Sequence, residues 1–170
     1  MKNIKENYIH IDNDFYYIIE DILNNKEFQK LKEIKHHGIT RYNHLLRVAY
    51  HTYKFTKKHN LKYVEATRGA LLHDFFFDET SKDSTYKALK THATYALQNS
   101  CKHFELTELE KDIIKTHMFP VEFKKPHYKE SYIVDIVDDI SSLYERSYSI
   151  RESVLRAFTF LFVFLTVRMR

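Results

Sequence analysis

Apolar residues recur every three or four positions along most of the chain, the spacing of α-helices that each bury one face. Phe15, Ile18, Ile19, Ile22 and Leu23 form the first such stripe, with Asp12 or Asp14 placed to cap its N-terminus. A short second helix is expected around Phe28, Leu31 and Ile34, ending near His36-His37-Gly38, where the glycine suits a helix terminus. Thr40 is the expected cap of a long third helix reaching about His59. Leu45, Val48, Ala49, Thr52 and Tyr53 line one face of it, and His44 stands on that face one turn before Val48. The fourth helix runs from about Val64 to His73-Asp74 through Ala66, Ala70 and Leu71, small residues that let another helix approach closely.

A polar connection over 78–84 leads to a fifth helix over about 86–102, with Leu89, Ala93, Ala96 and Leu97 apolar and His92 beside that stripe. Thr107 and Glu110 have capping-box spacing and start a sixth helix whose last turn holds Ile113, Ile114 and His117. Pro120 and Pro126 confine 118–129 to a loop. The seventh helix, about 130–146, carries Ile133, Ile136, Val137, Ile140 and Leu143, with Asp138 beside them, and an eighth takes up the aromatic C-terminus. The apolar run from Ala157 to Val167 is roughly half of the about 20 residues that cross a bilayer, so a buried terminal helix or a dimer contact is expected.

Composition narrows the class. The 170 residues include only 2 Gly and 2 Pro, too few for the turns of an all-β fold, so an all-α bundle of seven or eight helices is expected. No linker or repeat divides it. The reading is a single domain over 1–170, with its core over 34–145, N-terminal helices over 1–33 and an apolar C-terminal helix over 149–168. The net charge of +4 is spread along the chain and mixed with acids, which hints at an anionic ligand and gives no sign of nucleic-acid or membrane binding. Cys101 is the only cysteine and 1–7 lacks the apolar core of a signal peptide, which fits a reducing cytoplasm.

Each candidate taken singly has a bland explanation, a core histidine or a surface acid. Together, His44, His73, His92 and His117 with Asp74 and Asp138 put four imidazoles and two carboxylates on or beside the apolar faces of the helices. Buried groups of this kind are costly without a partner, and a metal supplies one. Mixed nitrogen and oxygen donors suit iron, manganese, nickel or zinc, and the lack of a cysteine ligand argues against a structural zinc site. Asp74 has two oxygens and can bridge two ions, with His44, His73 and Asp138 on the first and His92 and His117 on the second. Two such ions about 3.5 to 4 Å apart can clamp a phosphoryl group, and the expected chemistry is hydrolysis.

The residues Arg41-Tyr42-Asn43-His44-Leu45-Leu46-Arg47-Val48, then Leu71-Leu72-His73-Asp74, then His92, His117 and Asp138 resemble the HD-domain superfamily of metal-dependent phosphohydrolases. Their order is similar to the small bacterial binuclear branch, which includes symmetrical diadenosine-tetraphosphate hydrolases. The resemblance covers about 34–143. It implies His44, His73, Asp74 and Asp138 as the core ligands, and His92 and His117 as those that add a second metal. Asp135, one turn from Asp138, is a competitor for its role. The chain departs from many members at Phe75-Phe76-Phe77, where a small residue, a glycine and a phosphate-binding lysine stand, and at Ala93, where related hydrolases have proline after the histidine.

A substrate phosphate must then be held by other cations. Arg41, one turn before His44, and Arg68, in the helix leading to His73, are the candidates. His37 is a candidate proton donor or hydrogen-bond partner of the site, and Asp74 a catalytic carboxylate. Asp78 and Glu79 are candidates to orient water, or simply exposed loop acids. The expected function is hydrolysis of a phosphoester or phosphoanhydride of a small nucleotide. The alternatives are a mixed-valent di-iron oxygenase on the same ligands, and a catalytically silent nucleotide-binding module. A homodimer is an expected partner state.

Overall fold

The computed structural model describes residues 12–36, 38–77 and 85–168. Their architecture is all-α. Seven helices are described: α1 (Asn13–Leu23), α2 (Lys26–Gln29), α3 (Arg41–Lys58), α4 (Tyr63–Leu72), α5 (Thr85–His103), α6 (Glu108–Thr116) and α7 (Lys129–Arg168). His37, Asp78, Glu79 and the N-terminal 1–7 lie outside the described residues, as do the side chains of the apolar run from Ala157 to Val167.

The caps follow the sequence closely. Asp12 accepts hydrogen bonds from the Asp14 and Phe15 amides, and Thr40 accepts one from Asn43, each stabilising its helix by about 1 kcal/mol. Thr107 and Glu110 form the reciprocal capping box at the start of α6. These caps fix where α1, α3 and α6 begin, and hence the phase of the faces they bury.

Phe15, Ile19, Ile22, Leu45, Val48, Tyr53, Leu71, Phe75 and Ile113 are fully buried in one continuous core. The small-residue notch on α4 receives α6. A Cβ added at Gly69 would lie 2.8 Å from Ile113 Cδ1, so this position has room for hydrogen only. That close approach sets the C-terminal end of α4 beside the C-terminal end of α6, where His73 and His117 stand.

Several elements differ from the sequence reading. The second helix divides into α2 and a 3-10 turn, Lys30–Lys32, and Gly38 closes no helix. With φ of 91° it makes the turn of a two-residue antiparallel ribbon, β1 (Lys35–His36) with β2 (Ile39–Thr40), a backbone that residues with a Cβ rarely adopt. The expected seventh and eighth helices are one helix of 40 residues, α7. Neither glycine nor proline occurs after Pro126, so nothing interrupts its hydrogen-bond ladder.

The buried face of α7 is also a correction. Ile136, Ile140 and Leu143 are 57%, 63% and 69% exposed, while Val134, Asp135, Ser141 and Glu145 are buried. The polar face turns inward because α3 offers it partners in His44 and Arg47, so its carboxylates are not left uncompensated. The apolar ridge is left facing out. Among the described residues no helix is long and apolar enough to cross a membrane.

Candidate metal centre

His73 and His117 are the residues immediately after α4 and α6, not members of those helices. The last carbonyls of a helix lack intrahelical donors, and both side chains supply one. His73 Nδ1 lies 2.7 Å from the Ala70 carbonyl and His117 Nδ1 lies 2.9 Å from the Ile114 carbonyl, the same i−3 contact in each case. A carbonyl only accepts, so each Nδ1 carries a proton and each ring turns its Nε2 inward. Capping a helix and presenting a ligand lone pair are here one act.

His44 is set the same way by a different group. It projects from the first turns of α3, and its Nδ1 meets the Glu145 carboxylate of α7 at 3.0 Å while its Nε2 lies 2.9 Å from Asp138 Oδ1. Arg47, one turn on, holds the other oxygen of Glu145 at 2.6 Å. Glu145 is only 2% exposed. The sequence reading passed over it; its signal was a spacing of seven from Asp138, two turns along the same face of α7.

The six side chains expected as ligands converge. His44, His73 and Asp74 form one group of mutually close donor atoms, and Asp74, His92 and His117 form a second. Asp138 closes the first group, with Oδ1 3.6 Å from His73 Nε2. In the second, Asp74 Oδ1 lies 3.6 Å from His92 Nε2 and 3.5 Å from His117 Nε2, and these two nitrogens are 3.0 Å apart. Asp74 belongs to both groups.

The donors fit a metal. His73 Nε2 and Asp74 Oδ1 are buried without a hydrogen-bond partner among the described residues, a cost that proteins rarely carry without a reason. Separations of 3.5 and 3.6 Å are too long for good hydrogen bonds. Ligands bound at about 2.0 to 2.2 Å to one ion lie roughly 3 to 3.5 Å apart when adjacent, which these donors approach. Nitrogen and oxygen donors without thiolate suit a catalytic transition-metal site.

Charge in the site is sharply divided. Burial alone would lower the pKa of His44, but hydrogen bonds to Asp138 and Glu145 outweigh it and raise it to about 10. For His73, burial prevails over the pull of Asp138 and Asp74 and depresses it to about 4. Burial would raise both aspartates, yet His117, His73 and His92 hold Asp74 well below the carboxylate range, and His73 and His44 do the same for Asp138. Asp135 behaves oppositely: burial, with Asp139 beside it, lifts its carboxyl to about 7. It belongs to neither ligand group, whereas Asp138 makes the contact to His44.

The two arginines expected to hold substrate part company. Arg68 is a correction. Its guanidinium bonds Asp21 at 2.6 and 2.9 Å, the Ile18 carbonyl at 3.0 Å and Glu110 at 3.0 Å, which ties α1, α4 and α6 together and turns it from the site. Arg41 stays near. It is buried, donates to the Phe76 carbonyl at 2.7 Å and stacks 3.9 Å from the Phe76 ring, which in turn lies 5.4 Å from the His92 ring. The first two of the phenylalanines after Asp74 thus have separate tasks. Phe75 enters the core against Phe28 and Phe104, and Phe76 joins Arg41 to the second ligand group.

No curated protein and no solved structure matches the chain. The family model of the HD domain matches residues 41–143, a span that begins at Arg41, takes in all six converging side chains and stops two residues short of Glu145. With more than half of its length matched, and a buried cluster of histidines and aspartates on an all-α frame, the chain belongs to the HD-domain family.

Proposed function

We propose that this chain is a metal-dependent phosphohydrolase that cleaves a phosphoester or phosphoanhydride of a small nucleotide, in the manner of the diadenosine-tetraphosphate hydrolase branch. The observation that carries the reading is the pair of donor groups sharing Asp74, with the Nδ1 of His44, His73 and His117 each engaged elsewhere and the Nε2 turned inward. His44, His73, Asp74 and Asp138 would hold one divalent transition ion, and Asp74, His92 and His117 a second. Iron, manganese, nickel and zinc all accept such donors.

Bound there, the metal would supply Lewis acidity toward a phosphoryl oxygen and make water a better nucleophile at neutral pH. The chain's own residues do the rest. Asp74 and Asp138, held ionised by the surrounding imidazoles, give the site the negative charge that retains cations. Glu145 fixes the ring of His44 and keeps the proton on Nδ1. Ala70 and Ile114 do the same for His73 and His117 through their carbonyls, and the Arg41–Phe76 pair walls the side next to His92.

The test is metal analysis of the purified chain joined to a panel of mono- and dinucleotides and phosphomonoesters. Turnover that is lost on chelation and restored by metal is expected. Stoichiometric metal without turnover of any phosphate compound would overturn the reading, and oxygen uptake with a mixed-valent iron signal would replace it by an oxygenase.

A further inference from the structure

The outward ridge of α7 is built to a strict pattern. Ile136, Ile140, Leu143 and Ile150 are all exposed, and their spacing of four, three and seven residues is that of a heptad seam. The same register continues in the sequence through Val154, Ala157, Leu161 and Phe164, broken only by Ser147. A face buried within its own domain needs a wider stripe, whereas a two-residue-per-heptad seam fits one further helix. At about 1.5 Å per residue α7 spans about 60 Å, and among its described side chains none beyond Glu145 is buried.

Beside the ridge, α3 and α7 leave a groove of about 590 Å³ walled by Phe55, Ile140 and Tyr144. Ridge and groove together offer a projection and a recess on one face, the self-complementary surface that an isologous pair uses.

We propose that the occupant is a second copy of this chain, its α7 packed antiparallel on this one. The charges beside the seam select the direction. In a parallel pair in register, Arg146 would lie beside the partner's Arg151, a like-charge contact on both flanks. In an antiparallel pair with Ile140 layered on the partner's Leu143, Asp139 meets the partner's Arg146, twice by symmetry. The opposite flank sets Val137 beside the partner's Tyr144, and Ile133 shares a layer with the partner's Ile150. Both donor groups lie on the other side of α7, so pairing leaves the metal centre within each copy.

Sedimentation equilibrium of the full chain at micromolar concentration tests this. A mass of twice 20.6 kDa is expected, falling to 20.6 kDa in Leu143→Glu and Ile150→Glu, whose exposed positions leave helicity and metal content unchanged. Arg146→Glu should weaken pairing at least tenfold, and adding Asp139→Arg should restore it. A monomeric wild-type chain, or dimers that ignore the ridge substitutions, would overturn the proposal. So would capture of a monomer by phosphatidylcholine or phosphatidylserine vesicles, which would assign the ridge to lipid. Failure of the charge swap would overturn the antiparallel register.

Discussion

Replacing Glu145 separates the building of the ligand site from its chemistry. The side chain is inaccessible to solvent and joins two partners, Arg47 at 2.6 Å and His44 at 3.0 Å. In Glu145→Ala the Arg47 guanidinium keeps its burial and loses its counter-charge, and the His44 ring loses the acceptor that fixes its tautomer. Removing one member of a buried ion pair costs about 3 to 5 kcal/mol, more than the net value of either hydrogen bond, because the charge left behind is desolvated. For a chain of this size that corresponds to a fall in Tm on the order of 10 °C. Glu145→Gln keeps an acceptor for His44 and much of the shape but not the charge toward Arg47, so its stability loss should be smaller. Loss of the group that orients a metal-bound histidine lowers affinity about 10- to 100-fold. The assay is thermal unfolding of the metal-free chain beside metal affinity by chelator competition. Unchanged metal affinity in Glu145→Ala, at a temperature where it is folded, would refute the orienting role.

Asp74→Ala should abolish metal retention and activity together, and His117→Ala should leave one ion bound; elemental analysis decides both, and full occupancy in either would remove that residue from the site. Arg68→Ala should destabilise by about 2 kcal/mol, since the buried Glu110 loses a partner while the exposed Asp21 contributes little. Its kcat and KM should match the wild type, and a raised KM without loss of stability would return Arg68 to the substrate. His44 gains its proton on folding, with a pKa raised from 6.5 to about 10, so in the metal-free chain its stabilisation is complete below about 6.5 and fades as pH rises toward 10. Metal needs that nitrogen bare, so affinity should rise over the same interval with release of about one proton per ion, measured by calorimetry in buffers of different ionisation enthalpy.

Much of this was legible because local rules and tertiary demands agree. The caps at Asp12, Thr40 and Thr107, and the small residues of α4, act within a few positions of themselves, and the chain obeys them. The convergence of six side chains was readable from residue type and order. What could not be read is contact made across the fold. Arg68 sits in the helix leading to His73, and only the packing of α1 and α6 on α4 shows that its donors are taken. Glu145 is an ordinary helix carboxylate until α3 brings His44 and Arg47 to it. Gly38 reads as a terminator or a turn with equal ease, and the choice is made by the ribbon that precedes α3.

The misreading of α7 has a deeper cause. Ile133, Ile136, Ile140 and Leu143 look like the buried stripe because periodicity reports that a face is apolar, not which neighbour covers it. Here one helix meets two demands. Its polar face carries Asp138 and Glu145, which are tolerable inside only because imidazole and guanidinium await them, and the site cannot form if that face turns out. Each partnered carboxylate inside is worth several kcal/mol relative to the same site left incomplete, about as much as burying one or two large aliphatic side chains. The ligand face therefore fixes the rotation of α7 about its axis, and the isoleucines are carried outward as a consequence. The rotation is testable without reference to activity: in a Cys101→Ser, Ile150→Glu background, where the seam is open, a cysteine at Leu143 should react freely with a thiol probe and one at Ser141 should not, and the reverse order would mean that the apolar stripe, not the carboxylates, had set the helix.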